Sequence, residues 1–205
     1  MTFSEYLKEE YGENEPIYIK DIRFNGYSRP WIFKELKKLA DSGEIKRFDV
    51  GIYYFPVKMF YGEGTLNARK VIERRFLTNG NDVYGYVAGA SLMNQTGLST
   101  QVPNLLELVS NNESTRVRDI DVGDQRVRAH RSRTTVTKDN YMTLQFLDLI
   151  SSISPKAMDE TERFMLSKYI NAIGVKKQAV SQYSGFFPAK TMKNLVESGA
   201  AYELT

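Results

Sequence analysis

Asp119 and Asp121 stand two residues apart, a spacing at which paired carboxylates can hold a divalent metal for nucleotidyl transfer. Such a site also needs a Gly-Ser stretch ahead of it to cradle phosphate, and "NNESTRVR" stands there instead. With arginines around it, the pair is expected to make surface ion pairs at a hairpin. A metal-dependent nuclease would show an Asp followed by a strand bearing Glu-x-Lys, because carboxylates hold the ion while lysine assists the water. The Glu-x-Lys that falls on an expected strand is Glu44-Ile45-Lys46, beside a glycine turn, and it reads as structure. His130 is the single histidine, lies in an arginine run and has no serine nucleophile motif nearby. No Gly-x-x-x-x-Gly-Lys or Gly-x-Gly-x-x-Gly occurs. Cysteine is absent, which excludes disulfides and thiolate metal sites and suits a reducing cytoplasm. The expectation is a protein that is not an enzyme, with no metal and no cofactor.

Binding chemistry is better represented. In "SRPWIFKELKKLADSGEIKRFDVGIYYFP", residues 28–56, Ser28 is a good N-cap and Pro30 falls near the first helical position. The pattern predicts a helix over 29–41, stopped at Gly43, then two strands around Asp49-Val50-Gly51. On that helix Ile32, Phe33, Leu36, Leu39 and Ala40 cluster on one face, which leaves Trp31, Lys34 and Lys38 opposite. Ahead of it come a short helix over 2–11, a brief extended piece and a short helix around 19–24. Helix, short helix, turn, longer helix and β-hairpin is the order of a winged helix-turn-helix. In that fold the last helix enters the major groove and the hairpin presses on the backbone. Trp31 and Lys34 would then contact bases or sugars, while Lys38, Lys46 and Arg47 neutralise phosphates. The alternatives are that Trp31 packs under the wing, or that the winged helix docks on protein.

Charge distribution supports a binding face more than net charge does, since the whole chain carries only +3 over 205 residues. Residues 1–15 hold five glutamates against Lys8, whereas residues 16–60 hold nine basic against five acidic residues. Residues 114–138 repeat the basic excess, with six arginines and Lys138 against three aspartates. There "RVRAHRSR" reads as a strand with Arg126, Arg128 and His130 on one face and Val127 and Ala129 on the other. With Arg131 beside it, this is a second basic face for DNA or an acidic partner; an edge strand kept soluble by charge is the equal alternative. No apolar run reaches the roughly 18 residues of a membrane span, and no signal-peptide core is present, so no membrane partner is expected.

A boundary is expected near 58–64, "KMFYGEG", giving domains over 1–60 and 63–205. The second begins with the helix "TLNARKVIERRF", and "DVYGYVAGASLMNQTG" runs from an extended piece into another helix. "NLLELVSN", "TRVRDIDV" and "QRVRAHR" predict a small antiparallel sheet of about three strands, turning at Gly123-Asp124. From Lys138 onward four helical patterns are separated by Gly, Ser and Pro. The fold class expected is α+β: an N-terminal winged helix-turn-helix, then a mixed domain with a small antiparallel sheet and a helical C-terminal part. "YSRPWIFKELKKLADSGEIKRF" from Tyr27 also lines up with "YSGFFPAKTMKNLVESGAAYEL" from Tyr183, an echo attributed to the shared grammar of an amphipathic helix ending in Ser-Gly.

The succession "LKKLADSGEIKRFDVGIYYFP", "YGYVAGASLMNQTGLSTQVP" and then a strand, over about residues 5–150, resembles the AbiEi-type antitoxins of type IV (abortive infection) toxin–antitoxin systems. "GLSTQVP" after "YGYVAGAS" is its most specific part. Chemically, Ser99, Thr100 and Gln101 before a proline suit a turn into a strand, not catalysis. The resemblance implies a cytoplasmic repressor that binds double-stranded DNA at its own promoter. It also implies a C-terminal domain that neutralises a cognate nucleotidyltransferase-like toxin. By position it puts DNA contact on Ser28, Arg29, Trp31, Lys34, Lys38, Lys46 and Arg47.

Overall fold

The structure is a computed structural model that describes residues 1–60 and 62–205. It is α+β, with eight α-helices and four small sheets among the described residues. No helix among them is long and apolar enough to cross a membrane. The chain forms two compact units, residues 1–74 with 122–124, and residues 75–121 with 125–205.

In the first unit, α1 (Phe3–Tyr11) begins with a capping box: the Thr2 hydroxyl accepts the Glu5 N–H, and the Glu5 carboxylate accepts the Thr2 N–H at 2.7 Å. β1 (Ile17–Tyr18) leads into a 3₁₀ turn over Ile19–Asp21. α2 (Arg29–Asp41) follows, then β2 (Lys46–Asp49) and β3 (Ile52–Tyr54), in an antiparallel sheet of order β1-β3-β2. Gly43, at φ +78°, ends α2: its N–H reaches the Ala40 carbonyl while the Glu44 N–H reaches Leu39. Leu7, Ile17, Ile22, Ile32, Leu36, Ile45 and Phe55 form the core beneath these elements. β4 (Lys58–Met59) and β5 (Gly62–Glu63) pair as a small hairpin, and α3 (Ala68–Ile72) runs into a π-helical turn over Glu73–Leu77.

The first unit extends past the boundary expected near residue 60. The Tyr18 hydroxyl donates to the Val71 carbonyl at 2.8 Å, and the Lys70 ammonium lies 2.5 Å from the Glu15 carboxylate. These bonds fasten α3 to the N-terminal elements, which is why it belongs with them.

In the second unit, β6 (Thr78–Asn79) and β7 (Asp82–Val83) form a short hairpin ahead of β8 (Gly85–Val87) and α4 (Gly89–Gln95). After a loop come β9 (Leu106–Ser110), β10 (Val117–Val122) and β11 (Gln125–Arg131). The loop is the "GLSTQVP" segment, and it shapes the turn: Leu98 is buried, the Ser99 N–H bonds to the Met93 carbonyl, and the Ser99 hydroxyl accepts the Gln101 N–H. The sheet differs from the expected one. It has four strands in the order β10-β11-β9-β8, and its middle pair runs parallel, with Val127 opposite Leu106 and Ala129 opposite Leu108. β8 and β9 are antiparallel.

Four helices complete this unit: α5 (Tyr141–Ser152), α6 (Glu160–Ile173), α7 (Lys177–Tyr183) and α8 (Ala189–Glu197). α5 is apolar on nearly every side and therefore lies at the centre, where Leu144, Phe146, Leu147 and Ile150 meet Leu166, Ile170, Val180 and Leu195. The echo between the two Ser-Gly helix ends is real at the level of the stop. Gly199, at φ +82°, takes the same left-handed conformation as Gly43. It leads into a 3₁₀ turn over Ala200–Tyr202, whereas Gly43 leads into a strand.

Candidate nucleic-acid interface

α2 has the expected ends but a different rotation. Ile32 and Leu36 are buried and Trp31, Glu35, Leu39 and Ala40 half-buried, whereas Phe33 is 54% exposed. At about 100° per residue, the buried arc is turned by about 50° from the expected one. The cause is aromatic packing. The Trp31 ring lies 4.0 Å from Tyr27, 5.4 Å from Phe3 and 5.9 Å from Phe24, measured between centroids. The periodicity of α2 taken alone does not include Phe3 and Phe24, which draw the indole inward and swing Phe33 out.

This corrects the place given to Trp31, which was expected to project from the lysine face. Its main part is structural. We expect Trp31→Ala to lower the stability of the chain by about 2 kcal/mol, less than for a fully buried tryptophan. Urea unfolding followed by circular dichroism checks this, and an unchanged midpoint would return the indole to a surface role.

Arg29 is also engaged, its guanidinium donating to the carbonyls of Ile19 and Lys20 at 2.5 and 2.8 Å. It ties the start of α2 to the preceding 3₁₀ turn. Ser28 occupies the N-cap with extended backbone, but its side chain makes no capping bond and remains exposed.

The outward face of α2 consists of Phe33, Lys34, Lys37, Lys38 and Asp41. Lys34 and Lys37 carry no ion pair among the described residues, and Lys38 lies 2.5 Å from Glu35 one turn back. Lys46, on β2, pairs with Glu63 at 2.5 Å, and that carboxylate raises the lysine pKa. Arg47 is exposed and bonds locally, to the Asp49 carbonyl. Lys37, which the helical pattern put at the flank of this face, lies within it, and Phe33, which the pattern put on the apolar face, joins it. The available signal was the unbroken Lys34–Lys37–Lys38–Asp41 arc, which places position 33 at its border.

In Glu44-Ile45-Lys46, Ile45 is buried, Glu44 contacts Ser4 and Lys8, and Lys46 is paired with Glu63. The strand periodicity of 126–131 is as expected, with Val127 and Ala129 buried. Its polar face, however, is matched by acids. Asp119 takes two hydrogen bonds from Arg128 at 2.7 and 2.8 Å, Asp121 lies 3.7 Å from Arg126, and Glu107 meets His130 at 2.9 Å. The Asp-x-Asp pair therefore makes hairpin ion pairs. The His130 contact is the main cause holding the Glu107 carboxyl below the usual carboxylate range. Of the four basic residues proposed for this face, Arg131 alone has no carboxylate among the described residues; it reaches the Ser114 carbonyl at 3.5 Å.

Against known proteins, no family model matches the chain and no curated protein matches it. An exposed helix face with three lysines, one aromatic ring and a single aspartate offers cations for phosphates and a ring for stacking on a sugar or base.

Proposed function

We propose that the chain is a DNA-binding transcriptional repressor whose first unit is a winged helix-turn-helix. α2 is the recognition helix and the β2–β3 hairpin the wing. In this reading Lys34 and Lys38, with Lys37 between them, contact operator phosphates, and Lys46 and Arg47 follow the backbone from the wing. Ser28 and Arg29 set the entry of α2 rather than contact bases. The observation that carries the reading is the outward lysine face of α2, where Lys34 and Lys37 have no neutralising acid among the described residues. On the order of its motifs from the Gly43 turn to the "GLSTQVP" loop, we further propose an AbiEi-type antitoxin that regulates its own operon. Its second unit would engage a nucleotidyltransferase-like toxin.

The test is binding of the protein to its own promoter, measured by fluorescence anisotropy across a salt series. Lys34→Ala with Lys38→Ala should weaken binding at least about tenfold and lower the salt slope by about two, one for each phosphate left without its lysine. The circular dichroism spectrum should not change, because both side chains are exposed. Unchanged affinity would defeat the assignment. Phe33 favours one alternative, in which the same face docks on protein: an aromatic ring 54% exposed is an anchor of the kind protein interfaces use. Retention on duplex DNA that does not weaken with salt would favour that alternative.

A further inference from the structure

β10 closes one end of the sheet order β10-β11-β9-β8, so among the described residues only β11 pairs with it. Side-chain and main-chain bonds give the register of this ribbon. Asp119 faces Arg128, Asp121 lies beside Arg126, and the Arg131 N–H donates to the Arg116 carbonyl at 3.3 Å. In such an antiparallel pair the main-chain groups of alternate residues point to one side. Those of residues 116, 118, 120 and 122 turn toward β11. Those of Val117, Asp119 and Asp121 turn outward, where they have no hydrogen-bond partner among the described residues. The same three residues are exposed. A strand edge in this state accepts another extended segment, main chain to main chain.

The charges along the ribbon say what that segment carries. Arg118 pairs with Glu113 at 2.9 Å, Arg126 with Asp121 at 3.7 Å and Arg128 with Asp119 at 2.7 Å. Arg116 and Arg131 stand opposite each other, and neither has a carboxylate among the described residues. Both are exposed, and like charges in facing positions repel. Strand alternation puts them on the face that bears Arg118, away from Asp119, Asp121 and His130. A carboxylate on a strand added beside β10 meets Arg116 from that face and relieves the repulsion. The two aspartates, already held by arginines, do not oppose it. On the other face Val117, 48% exposed, offers apolar contact. A second copy of β10 fits less well, because antiparallel pairing about Ile120 sets Asp119 of each copy opposite Asp121 of the other.

We propose that β10 is a docking edge for an extended peptide segment of a partner protein, with acidic residues at alternate positions. The added strand bonds to the main chain of Val117, Asp119 and Asp121, and its carboxylates engage Arg116 and Arg131. This surface is confined to the second unit and does not depend on the DNA-binding reading.

Fluorescence anisotropy on the full chain, with a labelled decapeptide of alternating valine and glutamate as the probe, tests it. The peptide should bind saturably, and its lysine counterpart at least about tenfold more weakly. Arg116→Ala with Arg131→Ala should weaken the glutamate peptide at least about tenfold. The melting temperature should not change, since both side chains are exposed. Methyl groups on one alternating set of peptide nitrogens should abolish binding, and on the other set leave it intact, because a strand bonds its neighbour through every second residue. Absence of saturable binding would overturn the proposal. So would equal affinity for the lysine peptide, equal affinity in the double variant, or equal effects of the two methylation patterns. Duplex DNA bound through both arginines, with the peptide not bound, would overturn it in favour of nucleic acid. Val117→Pro removes one outward N–H and leaves the bonds to β11 in place. A dimer in sedimentation equilibrium that dissociates in that variant would assign the edge to a second copy and overturn the peptide.

Discussion

Gly85→Ala is expected to cost the protein about 3 kcal/mol or more, beyond ordinary overpacking because the obstruction is main chain on two sides. A Cβ at position 85 would lie 2.0 Å from the Phe76 carbonyl oxygen and 2.6 Å from that of Val109. A side-chain obstacle could rotate away. Here β8 would have to leave β9, to which Gly85–Val87 is paired, or the turn at Phe76 would have to open. Either movement disturbs Tyr86 and Val109, both in the core around α5. Thermal melting by circular dichroism should show a midpoint lowered by about 10 °C. A variant melting within about 2 °C of the parent would show that β8 does not pass so close to its neighbours.

Asn111→Ala should cost about 2–3 kcal/mol, because it leaves several half-buried polar groups without partners at once. The Asn111 side chain donates to the Val136 carbonyl at 2.8 Å and accepts the Val136 N–H and the Ser132 hydroxyl, each at 2.9 Å. It thereby closes the segment between β11 and α5, where Asn140 makes a similar pair of bonds to Thr135 and Thr137. Asn111→Asp keeps the acceptor and loses the donor, so it should fall between the parent and the alanine variant. Urea midpoints order the three proteins. Equal stability of Asn111→Ala and the parent would remove the asparagine from this role.

Much of the chain was legible because its signals are local. Arg29–Asp41, its stop at Gly43, the strands around Gly51 and the hairpin at Gly123-Asp124 each follow from residues within one or two turns of them. So do the four helices after Lys138, punctuated by Ser154-Pro155, Gly174 and Pro188. What escaped was set by distant partners. The rotation of α2 depends on Phe3 and Phe24, which no helical wheel of residues 29–41 contains. The parallel pairing of β9 with β11 depends on β10 lying outside them, while adjacency in sequence suggested a simple meander. The lysine face was legible in outline, with Lys34 and Lys38 outward, but Trp31 and Phe33 exchanged places. The strand of arginines was legible in period and not in charge. Its acids come from Glu107, Asp119 and Asp121 on two other strands, and only a register reveals that they face it.

The strand order also has a kinetic meaning. During synthesis β9 emerges well before β11, its parallel neighbour, and until then only β8 is available on one flank. β9 can therefore pair with β8 first, and the β10–β11 ribbon, zipped by its local turn, adds to the free edge of β9 afterwards. That addition closes the non-local pairing of Leu106 with Val127, slower to form than the hairpin turn between β10 and β11. A nascent chain stalled before β11 is made would leave β9 with one edge unpaired.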